Sequence, residues 1–240
     1  MIVSLPMYDR PETRAANEQL WKHLKGALGS NAELSFPDDP MVQWHDPDLL
    51  FSQTCGMPYR KRLHGKVNIV ASPVHAIDAP AGHYHSVLVT RKSDNRTHLA
   101  EFEAAPLAVN DPMSQSGFSA PMTLAASQGF QFNNIRPSGA HRISAEMVAD
   151  GRADIAAIDA VTWAMIQRWD DYANQLRELA KTPPTPALPY ITSLNQNPDA
   201  VRSALANSIA QLTEKERETL LLRDITFISS DKYLAVNSVV

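Results

Sequence analysis

Short apolar runs rich in β-branched residues, spaced so that helical stretches fall between them, constrain this chain more than any other feature. Ile2-Val-Ser-Leu5, Val67-Asn-Ile-Val-Ala71, Ser86-Val-Leu-Val-Thr90, Pro106-Leu-Ala-Val109 and Asp154-Ile-Ala-Ala-Ile158 have the length and side-chain chemistry of strands. Leu49-Leu-Phe51 is a further apolar run and ends in Gln53-Thr-Cys-Gly56. Between the runs the spacing changes to that of helices. Leu20, Trp21, Leu24 and Leu28 share one face after Pro11, as do Val161, Met165 and Trp169, and later Val201, Leu205, Ile209 and Leu212. The alternation predicts an α/β chain whose sheets are mostly parallel and flanked by helices.

Local signals set the boundaries. Asn197-Pro198 starts a helix, and Thr213 with Glu216 forms a capping box for another. A helix is predicted from about Gly117 to Ser127, with an irregular first turn because Pro121 removes a donor. Ser138 is predicted to cap a helix that turns Ile143 and Met147 inward and stops at Gly151. Thr182-Pro-Pro-Thr-Pro186 reads as a rigid extended connector.

Composition narrows the function classes. The net charge of −4 offers no broad cationic surface, so nucleic acid is not an expected partner and any anion must be held locally. No stretch approaches the roughly 20 apolar residues that span a bilayer, so membrane insertion is not expected. Met1 to Leu5 is followed at once by Pro6 and Asp9, which does not read as a secretory signal; on that ground the chain reads as mature or cytosolic. Cys55 is the only cysteine, which excludes an intrachain disulfide and a cysteine zinc cluster.

Asn110-Asp-Pro-Met-Ser-Gln-Ser-Gly117 is the most informative stretch, because it places two hydroxyls and a glycine between a strand end and a helix start. There the unpaired amides of a first helical turn and the helix dipole favour an anion, and Ser114 and Ser116 add hydroxyl donors. The plainer alternative is that Ser116 caps its helix. His141 can donate to a ligand oxygen. Asp159 follows a strand end, where ligands are met in open α/β sheets, although a helix cap explains it equally well. Tyr8, Gln53, Thr54 and Cys55 also follow strands and offer neutral groups to a ligand. Cys55 with His141 and Asp159 is conceivable as a nucleophile, base and orienting acid. His83 and His85 alternate as metal ligands would, but lack a third partner, so they read as exposed strand-edge residues and neither metal nor cofactor is expected.

Taken together, Asp111-Pro-Met-Ser-Gln-Ser-Gly117, Ser138-Gly-Ala-His141 and Gly151-Arg-Ala-Asp-Ile-Ala-Ala-Ile-Asp-Ala160 resemble the phosphate/phosphonate-binding protein family of ABC importers. Gln53-Thr-Cys-Gly56 followed by Pro58-Tyr59 is similar to a segment of the same family. The resemblance implies a two-lobed type 2 periplasmic-binding fold, with lobe 1 from residues 1–82 and 183–240 and lobe 2 from 83–182. It further implies a small anionic ligand, closure of the lobes about a hinge, and binding by Ser114, Gln115, Ser116, Gly117, His141 and Asp159 together with Tyr8, Gln53, Thr54 and Cys55. An ABC permease is the implied partner and the periplasm the implied compartment. Gln115 stands where phosphonate binders commonly have a small hydroxyl residue. The rival expectations are a cytosolic enzyme or a ligand sensor on the same scaffold, acting on a small heterocycle or phosphorylated compound.

Overall fold

The structure, a computed structural model, describes residues 1–37 and 39–239. The chain divides into two compact units, one made of Met1–His83 and Pro186–Ala235, the other of Tyr84–Thr185 with the residues from Val236 onward. In chain order the strands are β1 (Ile2–Val3), β2 (Leu49–Gln53), β3 (Val67–His75), β4 (His83–Tyr84), β5 (Ser86–Arg91), β6 (Leu107–Val109), β7 (Ile135–Pro137), β8 (Ile155–Asp159), β9 (Leu176–Lys181), β10 (Thr185–Pro186), β11 (Tyr190–Ser193) and β12 (Leu222–Thr226). The helices are α1 (Pro11–Ala27), α2 (Pro40–Trp44), α3 (Gly56–Pro58), α4 (Ala120–Ser127), α5 (His141–Ala149), α6 (Ala160–Trp169), α7 (Pro198–Gln211), α8 (Glu214–Leu220) and α9 (Ser230–Leu234). Wide helical turns at Tyr59–Leu63 and Gln115–Ser119 precede or follow the short helices.

Unit 1 holds a sheet ordered β1-β2-β11-β3-β12. β1 and β2 are parallel, β11 runs against β2 and β3, and β12 runs against β3. β1, β2 and β3 therefore point one way and the late strands β11 and β12 the other. Burial on both faces explains why these strands read as continuous apolar runs rather than as alternating ones. Val70 and Tyr190 pack with Leu20, Trp21, Leu24 and Leu205, while their neighbours Ile69 and Ile191 pack on the other side with Trp44, Leu63 and Tyr233.

Unit 2 holds a sheet ordered β7-β6-β8-β5-β9. β6 is parallel to β7 and β8, whereas β5 is antiparallel to both β8 and β9. Its core gathers Leu88, Phe102, Leu107, Phe130, Phe132 and Ile155.

Both sheets are thus mixed, a correction to the mostly parallel sheets expected from the sequence. The β-α alternation specifies parallel crossovers only where consecutive strands become neighbours, and β11 enters between β2 and β3 from the far end of the chain.

Other boundaries follow local chemistry. Pro11 opens α1, Asn197 accepts from the Asp199 and Ala200 amides ahead of α7, and Thr213 with Glu216 closes a reciprocal cap on α8. The expected Ser138 cap is not formed. Ala140 occupies the cap position of α5 without a side-chain bond, and the Ser138 hydroxyl instead meets the Ala140 carbonyl at 3.2 Å and the Ser144 hydroxyl at 2.6 Å. On α5 Met147 is buried but Ile143 is 37% exposed, contrary to the inward placement expected.

Candidate functional site

β6, β7 and β8 point the same way, so the residues after each of them emerge at one edge of the unit 2 sheet. Asn110 follows β6, the Ser138–His141 segment follows β7, and Asp159 ends β8. Ser86, first in the antiparallel β5, pairs with Asp159 and reaches the same edge. Carboxyl ends of parallel strands are where open α/β sheets meet ligands, because the helices that follow present their N-termini there.

The segment between β6 and α4 forms a wide turn rather than a continuous α-helix. Ser114 is its cap, with its hydroxyl oxygen accepting from the Gly117 amide at 2.9 Å. The cap was expected, if anywhere, at Ser116. The Ser119 amide donates to the Ser114 carbonyl at 3.0 Å, and the Ala120 amide to the Gln115 carbonyl. The next bond in that series would run from residue 121 to the Ser116 carbonyl, but Pro121 has no N–H to give. The Ser86 hydroxyl donates to that carbonyl instead, at 2.8 Å. Pro121 thus accounts for the irregular turn, and Ser86 satisfies the acceptor that the proline leaves over.

The Ser116 hydroxyl lies 2.8 Å from His141 Nε2. His141 Nδ1 is buried without a hydrogen bond of normal geometry. Burial pulls the imidazole down to a pKa of about 4, offset only in part by the backbone at Ala157, so the ring is neutral near pH 7. The Ser114 hydroxyl keeps its own proton for a ligand while it accepts from Gly117, and the Ser116 hydroxyl shares one hydrogen bond with His141 Nε2. Ser114, Gln115 and Ser116 are all buried. Gly117 is required by its neighbours: a Cβ there would fall 1.7 Å from Asn110 Oδ1 and 3.0 Å from His141 Cε1. Asn110 and Ser86 escaped the sequence reading, although Asn110 sits at a strand end as Asp159 does. Asp159 is 2% exposed, and its Oδ1 accepts from the Val161 and Thr162 amides at 2.8 and 3.1 Å. It caps α6, which was the plainer of its two expected roles.

In unit 1 the expected residues gather at the edge where β1 and β2 end. Gln53 and Thr54 are buried and serve the strand end itself: Gln53 Nε2 donates to the Leu188 carbonyl at 3.0 Å and the Thr54 amide to Pro189 at 3.0 Å. Cys55 is partly exposed just before α3, and Tyr8 adopts φ +63° with its ring edge-on to His75 at 5.4 Å. Cys55 belongs to unit 1, while His141 and Asp159 belong to unit 2. His85 is buried at 7% exposure, which corrects its reading as an exposed residue: it precedes the buried β5 and packs inward with it. Among the described residues no three His, Cys, Asp or Glu side chains are grouped to hold a metal ion. No helix among them is long and apolar enough to cross a membrane.

Comparison with known proteins gives one family match, over residues 2–233, to the periplasmic substrate-binding protein of ABC phosphonate transporters. No curated protein matches the chain. Among solved structures, the binding protein component of an ABC phosphonate transporter from Pseudomonas aeruginosa aligns with a TM-score of 0.77 at 17% identity, over 97% of this chain and 82% of its own. PhnD1 from Prochlorococcus marinus, in complex with methylphosphonate, aligns at 0.78 and 14% identity over 97% and 94% of the two chains. A Xanthomonas citri protein bound to ATP aligns at 0.70 and 12% identity over 97% and 92%. At such identities these structures speak for the fold, a two-lobed α/β architecture, while the ligands they hold differ.

Proposed function

Because the chain belongs to the periplasmic substrate-binding protein family of ABC phosphonate transporters, we propose that it binds a small phosphorus oxyanion at the Ser114–Gly117 turn of unit 2. One observation carries this reading. The turn sets two serine hydroxyls and a helix start at the carboxyl edge of parallel strands, beside a neutral histidine that can orient one of the hydroxyls. Such donors bind an anion without a buried counter-cation, since a hydrogen bond to an ionised acceptor is roughly twice as strong as a neutral one. Gln115, Gly117, His141 and Asp159 complete the proposed set in unit 2, and Tyr8, Gln53, Thr54 and Cys55 form a second proposed set, within unit 1. The compartment is then the periplasm, the partner an ABC permease, and the role that of a carrier rather than a catalyst.

The Ser116–His141 separation of 2.8 Å would also suit a nucleophile and its base. A ring held at a pKa of about 4 is a weak base, which favours binding over catalysis.

Thermal unfolding with methylphosphonate, phosphate, phosphite, sulfate and acetate tests the reading. A ligand at 100 times its dissociation constant adds about 2.7 kcal/mol to the stability of the bound form. A phosphorus oxyanion should raise Tm in the wild type and far less in Ser116→Ala. Absence of any shift across the panel refutes the proposal.

A further inference from the structure

The peptide unit that joins Ser116 to Gly117, in unit 2, is hydrogen-bonded at both of its polar ends. Its carbonyl oxygen accepts from the Ser86 hydroxyl at 2.8 Å, and its amide donates to the Ser114 hydroxyl oxygen at 2.9 Å. The bonds run in one direction. Ser86 gives its proton to the carbonyl, the same peptide unit gives its amide proton to Ser114, and Ser114 keeps its own proton to give. Three donors therefore stand in series, and the last of them belongs to the proposed oxyanion turn.

Hydrogen bonds joined head to tail polarise one another. A carbonyl that accepts a proton draws electron density through the amide resonance, so the N–H at the other end of the peptide unit becomes a better donor. A hydroxyl oxygen that accepts from that N–H holds its own proton less tightly. Ser86, Ser114 and Ser116 are all buried, so water does little to screen the effect. The head of the series is also fixed in place. Ser86 pairs with Asp159 across the sheet, its amide donates to Thr182 Oγ1, and its carbonyl accepts from the Thr182 amide, both at 2.9 Å. The Ser116 carbonyl is reserved for it, because the residue that would compete along the wide turn is Pro121, which has no N–H.

We propose that Ser86 is a positioning residue for ligand binding, acting through the Ser116–Gly117 peptide unit to orient the Ser114 hydroxyl and strengthen it as a donor to an oxyanion. This deepens the reading above, on which it rests, by assigning a role to a side chain that acts on the ligand through Ser114. The contribution is largest for an ionised acceptor, since a donor made more acidic gains most against a full negative charge.

A cycle of methylphosphonate affinities, measured by calorimetry on the wild type, Ser86→Ala, Ser114→Ala and the double variant, tests this. Ser114→Ala removes a hydrogen bond to a charged acceptor and should weaken binding about tenfold or more. Ser86→Ala should weaken it roughly threefold, the gain expected from polarisation along such a chain. Ser86→Thr keeps the hydroxyl and should recover that loss. In the Ser114→Ala background, Ser86→Ala should cost no further affinity. A Ser86 needed only to hold the turn together would lower Tm and weaken binding by the same factor with or without Ser114, and that additivity overturns the proposal. Unchanged affinity in Ser86→Ala overturns it too while sparing the oxyanion reading, whereas a wild type that binds none of methylphosphonate, phosphate and phosphite removes both. Should Ser86→Ala fail to fold, or Ser114→Ala bind too weakly to measure, the wild type decides by nuclear magnetic resonance. Methylphosphonate should then move the Gly117 amide proton and the Ser116 carbonyl carbon downfield together, and a carbonyl resonance that stays put overturns the inference.

Discussion

Asn110 occupies the space that a side chain at Gly117 would need, its Oδ1 lying 1.7 Å from where a Cβ would stand. The strand end of β6 and the start of the wide turn are therefore interlocked, and glycine is the residue that allows it. Gly117→Ala should destabilise the chain by about 1–3 kcal/mol through forced displacement of the Asn110 side chain. The double variant Gly117→Ala, Asn110→Ala should regain part of that loss, as a double-mutant cycle of denaturant midpoints would show.

Ser86 and Pro121 are coupled through one carbonyl. Ser86→Ala strands the Ser116 oxygen that Pro121 cannot serve, at an expected cost of about 1–3 kcal/mol. Chemical denaturation measures it, and a change within experimental error would mean that this oxygen has found another partner.

Two histidines set a pH window. His75 and His141 each fall to about 4 in the folded chain, both from burial, against 6.5 when unfolded. Between these values the unfolded chain binds more protons, so stability is complete above about pH 6.5 and declines as the pH falls to about 4. For His75 the loss is on the order of 3 kcal/mol, and it is smaller for the partly exposed His141. Asp94, held to about 2 chiefly by its hydrogen bond to Arg96, loses its contribution only below pH 4. A titration of stability against pH should thus show two separate declines, and His75→Gln should reduce the upper one alone.

Asp159 separates capping from ligand contact. Asp159→Ala should cost about 1 kcal/mol, since the Val161 and Thr162 amides lose their acceptor, while Asp159→Asn should restore most of it. If the carboxylate also meets the ligand, Asp159→Asn will retain its Tm and change affinity. Unaltered affinity in Asp159→Asn would confine the residue to its cap.

Much of this protein was written in residue patterns that act over one turn or one strand. Pro11 fixes a helix start through its locked φ, Asn197 and the Thr213–Glu216 pair fix theirs through bonds to amides at most three residues away, and the apolar runs fix strands because both sheet faces are buried. The irregular turn after β6 was legible in part for the same reason, through Pro121 and the serines ahead of it, although its cap is Ser114 rather than Ser116 and its glycine answers to the Asn110 side chain. What tertiary structure alone decided are the pairings between distant residues: β11 entering between β2 and β3, Ser86 answering the carbonyl left by Pro121, Asn110 lying over Gly117, and His75 set against Tyr8 and Leu221. Such partners meet only after the sheets assemble, and the burial that orders them, holding two histidines neutral, depends on the whole packed unit rather than on any neighbour in the chain.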